Sequence, residues 1–279
     1  MLRELVSNNI YVFTSELYAQ VTAGAILTSA GAVVIDTMPF PVETRQIIHF
    51  IEERHNTPIR YVINTHYHAD HTFGTCFFSG AQVISHRLCR EMLERHGQAA
   101  IEQARRGSRE LAALELRLPD LVFDNGGLSL HIGGVTLNLR HAPGHSHDSI
   151  VCQVEEERVL FAADALTPVP FFSDGSWTMF VQTLQCLRDE PYECIIQGHG
   201  EVVLRGEVQS RIQEDLDYLH CIREHAERVV SQGDGPDALS RVDIEQCHKS
   251  RIALNGLGPQ LHRSNLETLY NRLLSGDEL

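Results

Sequence analysis

The segment Thr65-His66-Tyr67-His68-Ala69-Asp70-His71 constrains this chain more than any other, because it packs four imidazole or carboxylate groups into six residues. It directly follows the apolar, β-branched run 59–64, which reads as a strand. Ionisable groups crowded at a strand end repel one another or lose hydration unless an ion compensates them. Neutral imidazoles mixed with carboxylates suit zinc, manganese or iron.

Three further segments have the same construction. His141-Ala-Pro-Gly-His145-Ser-His147-Asp148 follows the run 135–140, Asp164 closes Leu160-Phe-Ala-Ala, and Gly198-His199-Gly200 follows 194–197. Residues just past strand ends converge on one rim of an α/β layer, so four distant segments can supply one site.

The remaining apolar runs, 10–14, 25–28, 32–36, 82–85, 121–123, 128–131, 149–154 and 158–162, also read as short strands separated by Gly-, Asn- and Glu-rich turns. Helical spacing covers 41–55, 177–188 and most of 206–274, and a Leu-, Ala-, Glu- and Arg-rich stretch, 87–117, reads as a helical pair broken at Gly97 and Gly107. Two mixed β blocks with helices outside predict a layered α/β fold.

Charge and composition exclude several functions. Lys249 is the sole lysine, so no Walker-type phosphate loop is present, and a net charge of -14 opposes binding to nucleic acid. The weakly apolar run 23–35 is interrupted by Gly24, Thr28, Ser29 and Gly31, which predicts no membrane span. The first residues lack a basic stretch followed by an apolar one, so a cytoplasmic location is expected. The seven cysteines are scattered with no Cys-x-x-Cys pair, which predicts reduced thiols rather than a disulfide framework. Gly144-His-Ser-His-Asp148 lacks the second glycine of a serine-nucleophile turn.

With HxHxDH at 66–71, PGH at 143–145, FAAD at 161–164 and GHG at 198–200, in that order, the chain resembles the metallo-beta-lactamase fold superfamily from about Asn9 to Gly200. The resemblance implies an αββα four-layer sandwich of two mixed sheets with helices on the outer faces. Residues 1–205 would form the catalytic domain, with a helical insertion at 87–118. Residues 206–279 would form a helical extension packed on that domain or making a homodimer contact.

By the same resemblance His66, His68 and His145 hold one metal, Asp70, His71 and His199 a second, and Asp164 bridges them. Two divalent ions are implied, zinc first, with manganese or iron as alternatives. A water shared by two such ions ionises near neutral pH and attacks a carbonyl, with Asp70 passing a proton to the leaving group. Asp164 makes the chain more similar to glyoxalase-II-like and lactonase-like members than to β-lactamases. The implied reaction is hydrolysis of a small ester, thioester or lactone. β-Lactam hydrolysis, or persulfide oxidation by one iron on His66, His145 and Asp164, stands as the alternative.

Asp36 is expected to accept a hydrogen bond from a ligand imidazole; the competing reading is a turn or helix-cap aspartate. Tyr67, Phe73, Phe171 and Trp177 are candidates for a substrate pocket, against a plain packing role. Arg105, Arg106 and Arg109 either meet a substrate carboxylate or form a solvated helix face.

Overall fold

The apolar runs become two mixed sheets. The computed structural model describes residues 1–277 and residue 279. The first sheet contains β1 (Leu2–Ser7), β2 (Ile10–Thr14), β3 (Thr22–Thr28), β4 (Gly31–Ile35), β5 (Ile59–Ile63), β6 (Gln82–His86) and β7 (Leu121–Phe123), in that spatial order. Its first four strands are antiparallel, and β4 through β7 are parallel. The second sheet is formed by β8 (Leu128–Ile132), β9 (Val135–His141), β10 (Ile150–Val154), β11 (Val159–Ala163), β12 (Cys194–Gln197) and β13 (Val203–Leu204), in the order β13-β12-β11-β10-β9-β8. Only its β11–β12 pairing is parallel.

Central strands such as β4 and β11 are buried along their whole length, which is why they read as continuous apolar runs rather than alternating ones. Their alternate side chains serve two different cores. Between the sheets, Ile10, Ile26, Val33 and Ile63 meet Leu139, Ile150, Phe161 and Ile196. The sheets lie close together at Gly24, where an added Cβ would lie 2.0 Å from the Phe161 ring. Any side chain there would force the layers apart.

On the outer face of the first sheet, Ala23, Val34 and Val62 pack against Ile47 of α1 (Pro41–His49) and the continuing turn at Phe50 and Ile51. α2 (Ala69–Thr72) is a single turn at the end of β5. On the other side, Leu160, Ala162 and Ile195 pack against Phe180 and Leu184 of α5 (Trp177–Arg188) and Ile212 and Leu219 of α6 (Val208–Gln232). The layers are therefore helix, sheet, sheet, helix, the αββα sandwich.

The stretch 87–117 differs from the expected helical pair. α3 (Arg87–Met92) runs through a π-type turn into α4 (Gln98–Gly107), so helix continues across Gly97, and the chain returns as a 3-10 turn and extended backbone. Gly97 provides space rather than a break: a Cβ there would lie 2.6 Å from Leu116 Cδ1.

After α6 ends at Gly233 in the left-handed conformation, the chain folds back through short 3-10 turns to α7 (Ala253–Gly256) and α8 (Gly258–Ser275), which packs on α6. This return joins Cys221 to Cys247 in a disulfide, which corrects the expectation that every cysteine is a free thiol. The pairing comes from the reversal at Gly233, and the 26-residue separation matches no short motif. Among the described residues no helix is long and apolar enough to cross a membrane.

Candidate metal centre

The rim formed by the ends of β4, β5, β9, β11 and β12 collects the seven His and Asp residues read from the sequence. Asp36 ends β4 at φ +57°, and Ala163, just before Asp164, has φ +45°. Non-glycine residues in the left-handed region are uncommon. Here they turn each strand abruptly into the site.

Asp36 organises the loop after β5. Its Oδ1 accepts the Thr65 N–H at 2.9 Å, and its Oδ2 accepts the Thr65 hydroxyl at 2.7 Å and His71 Nδ1 at 2.8 Å. The Thr65 oxygen in turn lies 3.0 Å from His66 Nδ1. Because that hydroxyl proton is directed to Asp36, the oxygen is left to accept from His66.

The other imidazoles are anchored in the same manner. His68 Nε2 bonds Asp174 Oδ2 at 2.8 Å, His145 Nδ1 donates to the Phe171 carbonyl at 2.7 Å, and His199 Nδ1 donates to the Ala19 carbonyl at 2.9 Å. Each ring therefore commits one nitrogen outward and directs the other inward, an arrangement that sets the tautomer of a metal-binding histidine.

The inward atoms crowd one another. His68 Nδ1 lies 3.1 Å from His66 Nε2 and 2.8 Å from His145 Nε2, so three ring nitrogens converge on one point. His71 Nε2 and Asp164 Oδ1, 3.3 Å apart, are buried and have no hydrogen-bond partner. Leaving such atoms unpaired costs roughly 1–3 kcal/mol each. A cation removes that cost, so the donor set fits metal ions. Three groups at this rim have ligand atoms close enough to share an ion: His66 with His68 and His145, Asp70 with His71 and His199, and His66 with His71 and Asp164. Asp164 lies between the first two, its Oδ2 3.3 Å from His145 Nε2 and 3.5 Å from His199 Nε2. The backbone makes room for it at Gly198, where a Cβ would fall 1.8 Å from Asp164 Oδ1.

The electrostatics divide the rings. Burial, reinforced by neighbouring imidazoles, pushes His66 well below its usual pKa, and burial takes His145 down to about 4. Burial also opposes protonation of His199, but the Asp164 and Asp70 carboxylates outweigh it and raise that pKa to about 10. His71 and His199 correspondingly overcome burial at Asp70, holding its carboxyl below the ordinary range.

Two cavities meet at His68. One, about 230 Å³, is lined by Tyr67, Phe73 and the 93–117 segment. The other, about 180 Å³, opens on Asp70, His145, Asp164 and His199 and is walled by Phe171, Leu254, Leu257 and Leu261. Trp177 lines neither, which corrects its placement in a substrate pocket. Ser176 caps α5 so that the indole turns inward, donates to the Leu219 carbonyl at 2.8 Å and lies under Arg223. Arg105 and Arg109 line neither cavity: Arg105 bonds the Leu114 carbonyl, Arg106 lies 3.6 Å from Glu102, and Arg109 sits in the 3-10 turn.

Asp174, the Ala19 and Phe171 carbonyls and the Leu254–Leu261 wall carry no motif in the sequence. Asp148, which accepts the Tyr67 N–H at 2.7 Å, was visible beside His147 but had no assigned role.

The family model described as "Metallo-beta-lactamase superfamily" matches residues 19–199. The beta-lactamase-like protein 2 homolog of Caenorhabditis elegans is 21% identical over 72% of this chain and 64% of its own length. The atrochrysone carboxyl ACP thioesterase AgnL7 of Paecilomyces divaricatus is 24% identical over 88% of this chain and 68% of its own length. The chain thus spans about two thirds of these relatives. Among solved structures, the sec-alkylsulfatase Pisa1 of Pseudomonas sp. superposes with a TM-score of 0.78 at 17% identity, over 98% of this chain and 50% of that one.

Proposed function

This chain belongs to the metallo-beta-lactamase superfamily, and from that premise we propose that it hydrolyses small esters or thioesters using two divalent metal ions, zinc first. His66, His68 and His145 would hold one ion, Asp70, His71 and His199 the other, with Asp164 between them. Such ions polarise a carbonyl and supply a nucleophile from water near neutral pH.

The observation that carries this reading is the convergence of the inward nitrogens of His66, His68 and His145 beside the buried, unpartnered His71 Nε2 and Asp164 Oδ1, while every outer nitrogen is anchored. Asp70 is the carboxylate that takes up the proton released by the attacking water and passes it to the leaving group: its Oδ2 lies 3.4 Å from His199 Nε2, its side chain is partly exposed, and it lines the cavity that opens on the centre. Phe171, Leu254, Leu257 and Leu261 exclude water from that cavity. The relative named as an ACP thioesterase supports a thioester among the substrates.

Metal analysis of the purified chain, followed by ester, thioester, lactone, β-lactam and phosphodiester substrates, tests the reading. Two ions per chain are expected, with ester or thioester turnover that a chelator and Asp70→Ala both remove. One ion per chain with oxygen consumed on a persulfide, or turnover confined to β-lactams or phosphodiesters, overturns it.

A further inference from the structure

The helical excursion between β6 and β7 encloses a volume that begins at the metal centre. Tyr67 and Phe73 form one wall, Leu93, Ala100 and Ile101 the other, and Leu116 closes it from the returning chain. His68 is at its inner end, and the Nδ1 of that ring faces His66 and His145. Its width depends on small residues: Ala100 is only half-buried, and the missing side chain at Gly97 lets the helix pass close to Leu116.

The lining is chiefly apolar. Arg117, which reaches it, is paired with Asp120 at 2.6 Å, Glu115 adds a negative group, and the other ionisable side chains of the lining are the imidazoles of His68 and the exposed His96, so a charged or phosphorylated moiety finds no unpaired arginine or lysine there among the described residues. Its volume of about 230 Å³ holds about seven heavy atoms, at roughly 30 Å³ for each water-sized group.

The two cavities are not equivalent. Asp70, which delivers the leaving-group proton, lines the second cavity and not this one. A leaving group must lie beside its proton donor, so the acyl side of a scissile carbonyl falls on the side of Tyr67 and Phe73.

We propose that this cavity is the alkyl-chain site of the protein, taking the unbranched acyl group of an ester or thioester, about six to eight carbons long, with its carbonyl beside His68. The acyl assignment rests on the hydrolase reading above, whereas the chain-binding part stands on the cavity itself.

The test uses the full-length, zinc-loaded protein with p-nitrophenyl acetate, butyrate, hexanoate, octanoate and dodecanoate, and calorimetric binding of acetate against octanoate. Each buried methylene is expected to raise kcat/KM about fourfold, up to hexanoate or octanoate, with a fall at dodecanoate. Ala100→Phe fills the cavity and flattens the series; Leu116→Ala, which enlarges it, moves the maximum to a longer chain.

Octanoate should bind at least about tenfold more tightly than acetate, and Ala100→Phe should remove that difference. Ester turnover that ignores chain length, or a series unchanged in both variants, overturns the cavity assignment and leaves the hydrolase reading in place. Octanoate preference that Ala100→Phe abolishes, with no ester or thioester turned over, supports the cavity and overturns the hydrolase reading.

Discussion

The carboxylate of Asp174 receives His68 Nε2 at 2.8 Å and also the Tyr67 hydroxyl, so one acid from the loop before α5 orients two consecutive residues of the 65–71 segment. Those hydrogen bonds, the His68 bond foremost, hold the Asp174 carboxyl below its ordinary range. Asp174→Ala frees the His68 ring to rotate or change tautomer. Metal affinity is expected to fall about 10- to 100-fold, read by competition with a chromophoric chelator. Unchanged affinity would show that His68 needs no such support.

Asp36 is the acceptor for three buried donors from the same segment, the Thr65 N–H, the Thr65 hydroxyl and His71 Nδ1. In Asp36→Ala all three lose this partner, and the metal-free protein is expected to lose about 3–5 kcal/mol of stability. Urea unfolding in the presence of a chelator measures this without the metal contribution. A loss below about 1 kcal/mol would mean that water replaces the carboxylate.

The strand-end histidines and acids were legible because each follows an apolar run that could only be a buried strand, and strand ends on one side of a sheet meet. Their supports were not. The Ala19 and Phe171 carbonyls are backbone groups with no mark in the sequence, and Asp174 lies in a loop without periodicity. β1 was missed because Leu2–Ser7 is an edge strand with most side chains exposed, so burial imposes no pattern on it. Trp177 was misplaced because an aromatic residue beside apolar loops looks the same whether it faces a cavity or a neighbouring helix. The Cys221–Cys247 bond depends on a chain reversal that spacing cannot reveal.

His86 offers a pH signature away from the metal ligands. It caps α3 by accepting the Leu88 N–H on Nδ1 at 3.3 Å and stacks on His141 at 4.2 Å. Burial, then His141, depress its pKa to about 4. The unfolded chain therefore takes up a proton near pH ~6.5 that the folded one refuses until about pH 4. The stability His86 provides is complete above that upper value and declines as pH falls between the two. His86→Asn retains a capping oxygen but does not titrate. In chelated samples the variant is expected to lose less Tm than the natural sequence between pH 7 and pH 4.5, values chosen to span roughly that window. Equal losses would place the His86 titration outside it.

Gly198 tests whether Asp164 must occupy its place between the two ligand groups. The backbone there is not in the left-handed region, so alanine is conformationally permitted, but its Cβ would fall 1.8 Å from Asp164 Oδ1 and 2.8 Å from the Asp164 backbone nitrogen. Gly198→Ala must therefore displace the acid that lies near His71, His145 and His199. Bound metal is expected to fall from two ions per chain towards one, with circular dichroism unchanged. Gly206→Ala, where nothing lies within 4 Å of the added atom, is the control and should retain its metal. If Gly198→Ala holds two ions as tightly as the natural sequence, Asp164 is not the shared ligand, and the second ion would have to depend on Asp70, His71 and His199 alone.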